Sequence, residues 1–186
     1  MQHRVFTTRY GGRERVLRND VGIHLPISAD EVASLDGKTV RKYSAIWDTG
    51  ATNSGITKKV VDDLGLKPTG LVEVSHAKGR SMTNTYLVNI YLPSEVTIGQ
   101  VRVTEVELLS DNLPEGKRPQ ILVGMDVIGM GDFAVTNFSG KTVMSFRIPS
   151  VEEIDFIPRA QENNVMEGGN RQARRAMEAK KRKGFL

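Results

Sequence analysis

Asp48-Thr49-Gly50 closes the apolar run Ala45-Ile46-Trp47 and sets a carboxylate, a hydroxyl and a residue without a side chain at consecutive positions. A carboxylate at the tip of a tight turn that glycine permits can point into a cleft rather than into bulk water. Such a group can act as a general base toward water. Two of them about 3 Å apart share one proton, because like charges at that distance cannot both ionise. One then takes a proton from water while the other donates to a carbonyl, which is the chemistry of amide hydrolysis. The chain holds no second copy: Asp36-Gly37, Asp62-Asp63, Asp111-Asn112 and Asp132-Phe133 all lack the pattern. With 186 residues and one copy, paired-carboxylate chemistry requires two chains, with a two-fold axis between the two Asp48 side chains.

Other chemistries fit less well. Gly140-Lys141-Thr142 has Val135 where a phosphate-binding loop needs its first glycine, so it reads as a hairpin loop. Gly124, Gly129 and Gly131 miss the dinucleotide-binding spacing. His3, His24 and His76 are too few and scattered for a metal site. No Gly-x-Ser-x-Gly occurs, and the absence of cysteine excludes disulfides, thiolate nucleophiles and Cys-based metal centres. Neither a metal nor a cofactor is expected.

The elements that must position Asp48 are short. Val21 to Ile27 alternates as a half-buried strand, and Val40 to Trp47 feeds the turn. Ile56, Val60, Val61 and Leu64 recur at helical spacing, with Thr57 at the N-cap and Gly65 just past the end. Leu71 to Val74 and Thr85 to Leu92 flank a polar tip, His76 to Arg80, as a hairpin. Val96 to Ile98 and Val101 to Leu109 read as two strands around Gly99-Gln100, and 111–120 as a loop. Ile121 to Gly124 returns to strand, Asp126 to Met130 is a helical turn, and Phe133 to Asn137 pairs with Thr142 to Ile148. Near the start, Val5 to Tyr10 and Arg13 to Leu17 flank Gly11-Gly12, which predicts a hairpin arm. Many short strands with frequent turn signals indicate an all-β barrel or sandwich.

Two motifs in this order carry a resemblance. Asp48-Thr49-Gly50-Ala51 and Ile121-Leu122-Val123-Gly124, with the hairpin between them, resemble the retropepsin-like aspartic peptidases, the family of retroviral proteases and related ubiquitin-shuttle proteases. The resemblance covers residues 21 to 150. It implies an all-β acid-protease barrel with one or two short helices, one half-site per chain, completed by homodimerisation. It implies Asp48, Thr49 and Gly50 as the catalytic turn. It also implies substrate contacts from Ala51, Thr52 and Val123, and from Ala77, Lys78, Gly79 and Arg80 at the tip of a flap that closes over a peptide or protein substrate. The acid and arginine that pair in retroviral members are replaced together, by Thr52 and Met125. Gly124-Met125-Asp126 is similar to the Gly-Leu-Asp of the cellular branch.

The organisation expected is an N-terminal arm over 1–20, a peptidase domain over 21–150, and a linker with a basic tail over 151–186. Composition, 39% apolar and 26% charged, is that of a soluble globular protein. No apolar run approaches a membrane span and Met1 to Phe6 has no signal-peptide core, which predicts a cytoplasmic protein. Seven basic residues against Glu178 give 170–186 a charge of +6, which leaves −2 on the rest of a +4 chain. That tail reads as a solvated terminus or as a contact for an acidic partner or nucleic acid. The sequence thus favours an aspartic endopeptidase. A catalytically silent dimeric binding module and a nucleic-acid-associated protein are the alternatives.

Overall fold

The computed structural model of the protein describes residues 3–26, 40–76, 79–108 and 113–157. The chain divides into two units, Met1–Val151 and Glu152–Leu186. Among the described residues of the first unit, ten strands form two sheets. The smaller holds β1 (Arg4–Arg9), β10 (Val143–Ile148) and β9 (Asp132–Thr136), all antiparallel. The larger runs β2 (Leu17–His24), β3 (Arg41–Trp47), β8 (Ile121–Val123), β4 (Gly55–Ile56), β7 (Thr97–Glu105), β6 (Gly79–Tyr91) and β5 (Gly70–His76). β2 also pairs with β6, from Gly22↔Tyr91 to His24↔Asn89, so six of the seven strands close into a ring. Closure pairs the edge groups that an open sheet would leave exposed. Only β5 lies outside the ring, as the outer strand of the β5–β6 hairpin. Among the described residues the fold is mostly β with two short helices, α1 over Lys58–Leu64 and α2 over Met125–Ile128.

Alternation sets the core. In β3, Tyr43, Ala45 and Trp47 face inward while Ser44 and Ile46 are half-buried, so the residue after Trp47 emerges from the barrel at the end of the strand. Ile23, Ile56, Val88, Ile90, Val103, Ile121 and Val123 fill the interior. Trp47 is anchored from two sides. Its indole stacks on Phe133 at 5.8 Å, with Phe6 and Phe146 tilted against it at 5.5 and 5.3 Å, and its Nε1–H donates to Asn19 Oδ1 at 2.8 Å. A buried indole with its N–H satisfied fixes the end of the strand that carries Asp48.

Helix α1 forms where the spacing of Val60 and Val61 requires, and Gly65 ends it in the left-handed region at φ 62°. Thr57 sits at the N-cap without capping; its hydroxyl bonds the Gln120 side chain instead. The hairpin expected around Gly11-Gly12 is not made. β1 pairs with β10 and β2 with β3, and Phe6 is buried against Trp47, which draws the first strand into the body. The two strands expected around Gly99-Gln100 are one, β7. Register changes between Val88↔Val101 and Ile90↔Ile98, so Gly99 and Gln100 together oppose Asn89. This is a β-bulge, stabilised by Gln100 N donating to Asn89 Oδ1 at 2.8 Å, and not a turn. Of the second unit, residues 152–157 are described; they are exposed, and Ile157 N donates to Asp155 Oδ1 at 2.8 Å.

Candidate active site

The parallel pairing of β3 with β8 places the site. The register reaches Trp47↔Val123, and the next amide continues it, Asp48 N donating to Val123 O at 3.0 Å. The chain then turns, with Ala51 N returning to Asp48 O at 3.2 Å. Gly50 N donates to Asp48 Oδ1 at 2.8 Å, which orients the carboxylate across its own turn. Oδ2 receives no hydrogen bond among the described residues. Asp48 is half-buried, while Thr49 and Gly50 are exposed beside it. One carboxylate oxygen is thus held by a backbone donor, and the other accepts none among the described residues.

The turn is held from below by α2. A helix leaves its first amide hydrogens without intrahelical partners. In α2 two of these reach the loop after Asp48: Met125 N donates to Ala51 O at 2.8 Å and Asp126 N to Thr52 O at 3.1 Å. Gly124 permits that approach. A Cβ there would lie 2.7 Å from both the carbonyl carbon and the oxygen of Asn53, and 3.0 Å from Ala51 O. Its φ of −96° is open to any residue, so space and not conformation demands glycine.

Two residues that sequence reasoning did not assign complete the support. The Asp126 carboxylate accepts Ser54 N at 3.0 Å and the Ser54 hydroxyl at 2.7 Å, and it also accepts Val127 N at 3.0 Å. The Ser54 oxygen in turn accepts Gly124 N at 3.0 Å. Ser54 is fully buried, so each of these bonds satisfies a group with no water available to replace it. This network spans the two positions, Thr52 and Met125, where an acid and an arginine pair in retroviral members. The only sequence signal was Asp126 two residues after Gly124; Ser54 gave none.

Of the residues named from sequence, Asp48, Thr49, Gly50, Ala51 and Thr52 form one loop, and Ala51 and Thr52 act through their carbonyls on α2. Val123 differs from expectation: its side chain is wholly buried, so it meets the site through its carbonyl and not as a substrate-facing group. Gly79 and Arg80 begin β6 at the hairpin tip and are exposed, Gly79 with φ 127° and Arg80 paired with Glu73 at 3.6 Å. Ala77 and Lys78 lie outside the described residues. Among the described residues no group of three or more His, Cys, Asp or Glu could hold a metal ion, and no helix is long and apolar enough to cross a membrane.

A family model described as aspartyl protease matches residues 32–127, slightly more than half of the chain, from ahead of β3 to the third residue of α2. No curated protein gives a significant match. Among solved structures, the chain is similar to a retropepsin-like aspartic protease from Rickettsia conorii, with TM-score 0.43 and 15% identity over 79% of this chain and 96% of that one. It is also similar to the simian foamy virus (mac) protease, with TM-score 0.38 and 14% identity over 61% of this chain and 92% of that one. A foamy viral protease–reverse transcriptase in complex with an RNA/DNA hybrid follows, with TM-score 0.37 and 13% identity over 59% of this chain and 11% of that one. The matched region contains the Asp48 turn, α1, the β5–β6 hairpin and the Val123-Gly124 strand end that supports the turn, and the chain belongs to the retropepsin-like aspartyl protease family.

Proposed function

We propose that the protein is an aspartic endopeptidase whose active site forms when two copies bring their Asp48 turns together. The observation that carries this reading is the setting of Asp48, at the end of a strand fixed by Trp47, with one oxygen held by Gly50 N and the other without a donor among the described residues. One carboxylate alone lacks the second group that the chemistry needs. In the pair, one carboxyl holds the shared proton and the other is ionised. The ionised member takes a proton from a water molecule as that oxygen bonds the peptide carbonyl carbon, and the protonated member donates to the carbonyl oxygen. Breakdown of the tetrahedral adduct breaks the C–N bond and returns a proton to the leaving amine. Thr49, exposed beside Asp48, is placed by the family resemblance across the two-fold axis, where its hydroxyl holds the two turns in register. The hairpin of β5 and β6 serves as the flap over a peptide or protein substrate. Cytoplasmic residence and a role for the basic tail in docking belong to the same proposal.

The test is Asp48→Asn, which keeps shape and removes the base. Peptide hydrolysis is expected to fall by about a hundredfold or more. The variant should remain folded and should sediment as a dimer at the same loading as the unsubstituted chain. Undiminished cleavage by the variant, or a monomer that cleaves, contradicts the reading.

A further inference from the structure

Along β3 from Arg41 to Ser44, whose nearer end is about 13 Å from Asp48 at the usual rise, lies a cavity of about 390 Å³. Three segments wall it: the start of β3, one face of α1, and the chain from Gly116 to Gln120. Four of its lining residues are cationic (Arg41, Lys42, Lys59 and Arg118) and one, Asp63, carries a carboxylate. Asp63 is already committed. It pairs with Lys59 at 3.0 Å and accepts the buried Tyr43 hydroxyl at 3.3 Å, and the Lys59 bond holds its carboxyl below the ordinary carboxylate range. Three positive charges are left over. Among the described residues none of Arg41, Lys42 or Arg118 forms an ion pair.

The guanidinium groups are placed and not merely nearby. Arg41 Nη1 donates to the Asp63 carbonyl at the end of α1, at 2.5 Å. Arg118 Nε donates to Leu113 O at 3.0 Å. The wall that carries Arg118 is bolted to β3 by Gln120 N donating to Ser44 O at 2.8 Å, and to α1 by Thr57 N donating to Gln120 O at 3.0 Å. Arg41 also bonds the Tyr43 hydroxyl and acts on the Asp63 carboxylate, whereas Arg118 makes the single wall contact to Leu113. Anchoring two guanidinium groups on separate segments lowers the entropy lost when an anion binds.

We propose that this cavity is a binding site for a small phosphate-bearing anion, separate from the peptidase centre and independent of it. A phosphate group carries nearly two charges at neutral pH and offers acceptor oxygens in tetrahedral directions. Guanidinium groups from Arg41 and Arg118, each anchored on a segment that lines the cavity, supply the donors that pattern calls for. A carboxylate offers only two oxygens in one plane. The cavity exceeds one phosphate and falls within the range of small-molecule sites, which favours a diphosphate unit over orthophosphate.

The experiment is isothermal titration of the full chain with pyrophosphate at fixed ionic strength, with citrate as the polycarboxylate comparison. Saturable binding at one site per chain is expected, with citrate at least tenfold weaker. The double substitution Arg41→Gln with Arg118→Gln is expected to raise Kd at least tenfold, while leaving the circular dichroism and peptide-cleavage rate unchanged. Should that variant fail to fold, Arg118→Gln alone, on an exposed side chain, is expected to weaken binding several-fold. Absent binding overturns the proposal. So does citrate binding as tightly as pyrophosphate, and so does affinity that survives the substitutions, which is the result if the basic residues of 170–186 capture the anion.

Discussion

The Ser54 hydroxyl donates to the Asp126 carboxylate at 2.7 Å and accepts Gly124 N at 3.0 Å, joining the loop after Asp48 to the helix beneath it across 72 residues of sequence. Ser54→Ala leaves Gly124 N without its acceptor and one Asp126 lone pair unused. A buried donor left unsatisfied costs about 1–3 kcal/mol. Ser54→Ala is therefore expected to lower unfolding stability by about that amount and to reduce peptide cleavage with it. Urea unfolding read by Trp47 fluorescence checks this, and an unchanged midpoint contradicts it.

Asp126→Asn is a sharper version of the same test. An amide brings two N–H donors to a site where Ser54 N, the Ser54 hydroxyl and Val127 N all donate. One donor must then face another. The substitution is expected to destabilise at least as much as Ser54→Ala, and the double variant less than the sum of the two, because both act on one network. Additive effects in the cycle would separate Asp126 from Ser54.

Gly124→Ala puts a methyl 2.7 Å from the Asn53 carbonyl, and neither partner is a flexible side chain. The loop or α2 must shift, at an expected cost above about 2 kcal/mol. Gly11→Ala, with nothing within 4 Å of the new methyl, is the control and should change the thermal midpoint little. Equal effects at the two positions would remove the steric account.

The acid limb of stability is expected to depend on Asp132. The Ser150 hydroxyl, Val151 N and the Arg147 guanidinium all donate to its carboxyl and hold it well below the usual carboxylate range. A carboxyl depressed by folding contributes stability that is complete above its unfolded value, about 4, and is lost as pH falls through the folded one. Wild-type and Asp132→Asn midpoints should therefore differ most above about pH 5, with the difference shrinking steadily as pH falls below about 4 toward the depressed folded value. A constant difference across that range would contradict the linkage.

Where the body ends follows from the same carboxylate. Truncation after Val151 keeps both Asp132 donors, and truncation after Pro149 removes them. The first is expected to leave the thermal midpoint unchanged and the second to lower it by several degrees. Scanning calorimetry distinguishes them. A large loss on the first truncation would mean that residues 152–186 support the folded body.

What was legible in the sequence was local. Val60, Val61 and Gly65 specify α1 within eight residues, and the alternation through Tyr43, Ala45 and Trp47 points Asp48 out of the strand end. What was not legible depends on partners far along the chain. Gly99-Gln100 has the composition of a turn, and only the missing residue opposite, at Asn89, makes it a bulge. Nothing around Val5 to Arg9 indicates that its ladder partner begins at Val143. Ser54 is one serine among many until Gly124 and Asp126 are brought to it. Val123 reads as a substrate-facing group from its place in the motif, yet its alternation in β8 turns it into the core.

The requirement for two Asp48 carboxylates in one site is tested most directly by mixing chains. Unsubstituted and Asp48→Asn proteins are unfolded together, refolded at constant total concentration, and assayed on a short peptide as the unsubstituted fraction varies. If each site needs both carboxylates, mixed dimers are silent and activity follows the square of that fraction, about a quarter at an equal mixture. Activity that falls in simple proportion, about half at the equal mixture, would mean that one Asp48 suffices, and the paired mechanism would be wrong.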